Sequence, residues 1–111
     1  MQKRKISFLQ DALDDLEGLI EYISNDSILS AEKIYKKVRE KSDALSLFPF
    51  RGMPVPDEKL KAAGWRMLFI LPLVLFYRVF DEEVMIFRIF HSSSDYPRLF
   101  NMLEEKSGGQ I

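Results

Sequence analysis

The sequence predicts an α+β domain, with an N-terminal strand, a helical hairpin, a three-stranded antiparallel meander and a short C-terminal helix. Two observations carry most of this. Residues 11–47 place apolar side chains at three- and four-residue spacing, whereas residues 65–90 hold three apolar, β-branched and aromatic runs. A third is the boundary: residues 48–64 contain Pro49, Pro54, Pro56, Gly52 and Gly64, which punctuate the chain between the two patterns. Helices followed by strands predict a hairpin laid on one face of a mainly antiparallel sheet.

Residues 4–9, RKISFL, read as the first strand, with Ile6 and Phe8 two apart. The first helix has Ala12, Leu16, Leu19, Ile20 and Ile23 on one face. Asp11 is its expected N-cap, and Asp14, Asp15 and Glu17 sit early, where the helix dipole favours negative charge. Asn25 and Asp26 are expected to break it. The second helix runs from about Ser27 to Leu47, with Ile28, Ala31, Ile34, Tyr35, Val38, Leu45 and Phe48 in its stripe and Ser42 filling one slot. Its lysines alternate with Glu32, Glu40 and Asp43, as on a solvated face. Pro49 is the expected stop, followed by a loop with a helical turn near EKLKAA. The runs WRMLFIL, VLFYRVF and VMIFRIF form the meander, with Pro72 in a turn because a central strand cannot spare its N–H. DYPRLFNMLEE reads as the last helix, capped by Ser94 or Asp95, and the tail 106–111 is expected to fray.

The bulk numbers are those of one domain spanning 1–111. The absence of cysteine excludes disulfides and thiol chemistry, and a single histidine disfavours zinc. No cofactor is expected. A net charge of -1 gives no global attraction to nucleic acid, so direct sequence-specific DNA binding by this chain alone is not expected. The N-terminal residues meet acid before any long apolar core, and the longest uncharged apolar run is well short of the ~20 residues of a membrane helix. The expectation is a cytoplasmic protein with no membrane partner.

Alternation along the strands gives the candidate site. If both turns hold three residues, the odd positions from Trp65 to Ile89 face the helices, and the even positions share the opposite face. That second face would carry Arg66, Arg78 and Arg88 among Phe76 and Phe90. It would be an uncovered partner- or phosphate-binding surface, since apolar patches with arginine have the composition of an interface centre. A two-residue turn would drive Arg88 into the core. His91-Ser92-Ser93-Ser94-Asp95 is a strand end entering a capped helix: it lacks a glycine-flanked serine elbow, which excludes a serine hydrolase of that type.

The chain resembles a known superfamily. LSLFPFRGMP is similar to its Leu…Pro…Gly ending of the second helix, and GWRMLFI to its G-x-R-x-L-x-V strand. LFYRVFDEEVMIFRIFHSSSDY is similar to its YRV…V-x-I-x-R-I-x-H-x-x-R-D hairpin. These patterns, in this order, are those of RelE/ParE toxins of type II toxin–antitoxin systems. The resemblance implies a growth-inhibiting toxin, associated with plasmid stabilization and silenced by a cognate antitoxin that wraps the sheet and helical hairpin. It is closer to ParE than to RelE. Positions that carry cations in the mRNA-cutting branch fall here on Trp65, Met67 and Val74, and Ser92-Ser93-Ser94 stand where many relatives are basic. The ParE side implies binding to DNA gyrase without chemistry of its own. The RelE side implies a ribosome-dependent endoribonuclease, with His91 and Tyr96 as the candidate catalytic acid–base groups and the three arginines as phosphate clamps. A non-toxic relative is the third reading.

Overall fold

A computed structural model describes residues 3–108. The elements follow in the order β1 (Lys5–Phe8), α1 (Gln10–Asp26), α2 (Ile28–Ala44), β2 (Met53–Pro54), α3 (Glu58–Ala62), β3 (Trp65–Ile70), β4 (Leu73–Val79), β5 (Glu83–His91) and α4 (Tyr96–Gly108). The expected α+β order is present, with a short edge strand, β2, that its prolines concealed. The five strands form one sheet in the order β1-β5-β4-β3-β2, antiparallel except for β1 against β5.

Helix boundaries follow local chemistry. Leu9, not Asp11, is the N-cap of α1, and it makes no side-chain cap bond; Asp11 lies inside the first turn. The helix continues through Asn25 and Asp26, and Ser27 divides the hairpin by serving both helices. Its N–H donates to Ile23 O, and its Oγ accepts from the Ser30 N–H at 3.1 Å. The α2 helix ends at Ala44, before Pro49 is reached. The expected turn near EKLKAA is α3, with Asp57 capping Leu60. Asp95 caps α4 through Arg98 N at 3.4 Å, with Pro97 in the first turn. The helix backbone continues through Gly108; residues 109–111 of the expected frayed tail lie outside the described residues.

The sheet register corrects the expected parity. Ile70 pairs with Leu73, so the first turn holds only Leu71 and Pro72, and β3 is flipped relative to β4. Val79 pairs with Val84 and the Phe80 N–H donates to Glu83 O at 2.7 Å, so the second turn holds only Asp81 and Glu82 and is also shorter than the expected three residues. On that register alone Arg88 would sit opposite Leu75, under the helices. A bulge between Phe76 and Tyr77 places an extra residue on β5, and Arg88 pairs with Phe76 instead. The bulge solves the problem that a short turn creates.

Two apolar clusters result, one on each face of the sheet. Under the hairpin, Ala12, Leu16 and Val38 pack on Ile70, Leu73, Leu75, Tyr77, Val84, Ile86 and Ile89. Ser42 is buried beside this stripe with its hydroxyl unpartnered among the described residues, which nothing in the structure explains. On the other face Trp65, Met67, Val74, Phe76 and Phe87 pack under Leu60 of α3 and under Leu99 and Leu103 of α4. The face expected to be open is therefore covered, and Trp65, Met67 and Phe87 belong to it rather than to the face beneath the hairpin.

Candidate functional site

The three arginines do not share a face; each has a different local task. Arg66 pairs with Tyr77, on the hairpin side of β4. Its guanidinium binds backbone carbonyls of the α2–β2 loop: Nε and Nη2 reach Gly52 O, and Nη2 also reaches Phe50 O at 3.1 Å. Arg78 pairs with Trp65 and stacks 5.5 Å from the centre of that ring and 5.4 Å from Phe80. Arg88 lies 4.8 Å over the Phe90 ring and forms a two-bond clamp with Asp15, at 2.7 and 3.0 Å. The same carboxylate accepts the Ile89 N–H at 3.0 Å, on the edge of β5 beyond the end of β1. The Asp15 bonds push the Arg88 pKa up, outweighing the opposing effect of burial. Phe76 is fully buried, so it supports the sheet and is not available to a partner.

His91 ends β5 and Tyr96 begins α4, and the His91 Nδ1 and the Tyr96 hydroxyl are both engaged within the turn between them. His91 Nδ1 accepts from the Ser93 N–H at 3.1 Å and lies 2.7 Å from Ser93 Oγ. Accepting at Nδ1 places the neutral ring's proton on Nε2. The Tyr96 hydroxyl donates to Ser92 O at 2.6 Å, and Ser92 N–H donates to Pro72 O at 2.8 Å. HSSSD thus ties the strand end to the β3–β4 turn and to the start of α4.

Two exposed apolar surfaces were hidden in the helical stripes of the sequence. On the hairpin, Tyr22 and Leu29 are 73% and 69% exposed, with Ile28, Leu13 and Tyr35 also open. A groove of about 440 Å³ between α1 and α2 is lined by Leu13, Leu16, Glu17, Ile20, Glu21 and Tyr35. The second surface is the α2–β2 loop, where Leu47, Phe48, Phe50 and Met53 point outward. Such patches are uncommon on monomers without a partner. Periodicity alone assigned Ile28 and Phe48 to the buried stripe; their positions at helix ends are the signal that they lie beyond the covered part of the sheet.

The arrangement is one for contact through apolar and cationic side chains, carried on an α+β scaffold. A sequence model of the ParE toxins of type II toxin–antitoxin (parDE) systems matches residues 6–96, and the chain belongs to that family. Among solved structures, the chromosomal ParDE system from P. aeruginosa is similar at a TM-score of 0.64 and 21% identity, over 80% of this chain and 96% of that one. The RelBE2 toxin–antitoxin complex from Mycobacterium tuberculosis is similar at a TM-score of 0.53 and 27% identity, over 80% of this chain and 98% of that one. No curated protein matches significantly. Among the described residues, no helix is long and apolar enough to cross a membrane.

Proposed function

We propose that the chain is the toxin of a type II pair, held silent by a cognate antitoxin in the cytoplasm, and that it inhibits growth by docking on DNA gyrase. The family match supports the first part, and the two similar structures named above are toxin–antitoxin systems. The observation that carries the second is the dispersal of the nuclease candidates. Arg66 holds a loop, Arg78 stacks on Trp65, Arg88 is clamped by Asp15, and the Nδ1 of His91 and the hydroxyl of Tyr96 are engaged in their own turn. RNA cleavage needs cations and an acid–base pair converging on one phosphate, and these side chains are committed elsewhere. The exposed apolar groove between α1 and α2 fits an amphipathic antitoxin segment.

Induced expression in growing cells is expected to arrest them, and co-expression of the antitoxin to restore growth. Purified protein is expected to trap gyrase–DNA cleavage complexes and to leave mRNA on translating ribosomes intact. His91→Ala is expected to keep full toxicity. Shortened mRNA together with a harmless His91→Ala variant would establish the endoribonuclease instead. Harmless induction of the unmodified protein would sink both readings in favour of a non-toxic relative.

A further inference from the structure

The α2–β2 loop is held with more structure than a connection requires. Tyr77, fully buried in the sheet, donates its hydroxyl proton to Pro49 O at 2.9 Å and accepts the Gly52 N–H at 2.9 Å. Arg66 binds the carbonyls of Phe50 and Gly52. Gly52 approaches so closely that a Cβ there would lie 2.6 Å from both Met67 O and the Tyr77 hydroxyl oxygen. The backbone from Pro49 to Gly52 is therefore fixed by groups of β3 and β4. Yet the loop's large side chains are turned outward, with Phe48 55% and Phe50 61% exposed. A rigid backbone presenting open aromatic side chains is preorganised for contact, because little entropy remains to be lost on binding.

The charge around these side chains is mainly positive. Leu47, Phe48, Pro49, Phe50 and Arg51 line a depression of about 550 Å³. Leu47 also borders the neighbouring depression that holds Lys3, Arg4 and Asp43. Arg66 lies 5.2 Å over the Phe50 ring. Among the described residues, none of Lys3, Arg4, Arg51 and Arg66 is paired with a carboxylate, and Asp43 is the one acid lining either depression. From this we infer that the α2–β2 loop is a second docking surface, distinct from the hairpin groove, for a protein segment that sets apolar side chains beside carboxylates. The apolar side chains would seat against Phe48, Phe50 and Leu47, and the carboxylates would meet Arg51, Arg4 and Lys3, while Arg66 stays on the loop carbonyls and adds its positive charge nearby. The inference does not depend on what the hairpin binds or on the protein's toxicity.

The test uses the full chain labelled for amide-resolved NMR and three synthetic peptides of about a dozen residues. The first alternates Leu and Phe with Glu, the second has Gln in place of each Glu, and the third has Lys. The Glu peptide is expected to bind, to shift amides of residues 47–53 together with Lys3 and Arg4, and to weaken as salt is raised. Phe50→Ala and Arg51→Glu, both changes at exposed positions, are each expected to weaken it by about tenfold or more while leaving the remaining spectrum in place. Tyr77→Phe keeps every outward side chain and loosens only the loop backbone, so a loss of affinity there reports preorganisation. Equal or tighter binding of the Lys peptide, or no shift at 47–53, overturns the inference. So does tighter binding of single-stranded oligothymidylate at these residues, or a concentration-dependent self-association that perturbs them, since the occupant would then be nucleic acid or a second copy.

Discussion

Tyr77 shows how one hydroxyl can link the sheet to the surface. Its ring fills the cluster beneath the hairpin, and its oxygen bridges Pro49 O and Gly52 N. Burial is the main influence on its pKa and pushes it above the usual tyrosine value, opposed by the Gly52 N–H and by Arg66, both of which favour the phenolate. The folded protein therefore retains this proton longer than the unfolded chain. As pH rises past about 10, the unfolded chain loses its proton first and binds fewer, so the contribution is intact at neutral pH and declines above that point. Tyr77→Phe orphans a buried N–H and a carbonyl and is expected to cost about 1–3 kcal/mol at neutral pH. Urea unfolding of both proteins across pH 8 to 11 checks this. The gap between them should narrow above pH about 10, and a gap that stays constant would show that the hydroxyl titrates as it does in the unfolded chain.

At the scale of elements, β5 carries the features that sequence reading could not reach. The existence and order of nearly all elements were legible, because helical and strand periods differ clearly between residues 10–44 and 65–91. Facing was not. Leu71-Pro72-Leu73 reads as a three-residue break, but Leu73 is a strand residue paired with both Ile70 and His91. The bulge left no mark in the pattern, since Phe87 is apolar and suits either face. The Asp15–Arg88 pair was likewise hidden: an aspartate early in a helix looks like a favourable dipole charge, and its use 73 residues away appears only in the fold. This pair closes the part of the β5 edge that β1 does not reach. Asp15→Ala leaves a partly buried guanidinium and the Ile89 N–H without their acceptor. The expected cost is about 2 kcal/mol in denaturant unfolding, reduced from fully buried values because both side chains remain about a fifth exposed. A second change, Arg88→Met, in the same protein should recover part of that loss. A single-variant cost below about 0.5 kcal/mol would mean that water replaces the carboxylate at the edge.

For the molecule as a whole, the sheet is buried on both faces, and the two covers differ in kind. The hairpin of α1 and α2 covers one face with two helices of 17 residues each. The other face depends on the five-residue α3 and on α4, whose Leu99 and Leu103 are fully buried over the cluster containing Trp65 and Phe87. The family match ends at residue 96, where α4 begins, so α4, the longer lid over this second cluster, lies almost entirely outside the matched segment. Removing the lid would expose Trp65, Met67, Val74 and Phe87 together while leaving the hairpin cluster unchanged. A chain ending at Asp95 is therefore expected to keep its helical hairpin but expose an apolar face, with red-shifted Trp65 fluorescence, dye binding and aggregation at concentrations where the full chain stays monodisperse. Leu99→Ala within the full chain isolates the packing contribution and is expected to cost about 2–5 kcal/mol. If the shortened chain stays monodisperse with unshifted Trp65 emission, α4 is not a structural cover, and the second cluster is stabilised within the sheet by contacts such as the 4.6 Å Trp65–Phe87 ring pair.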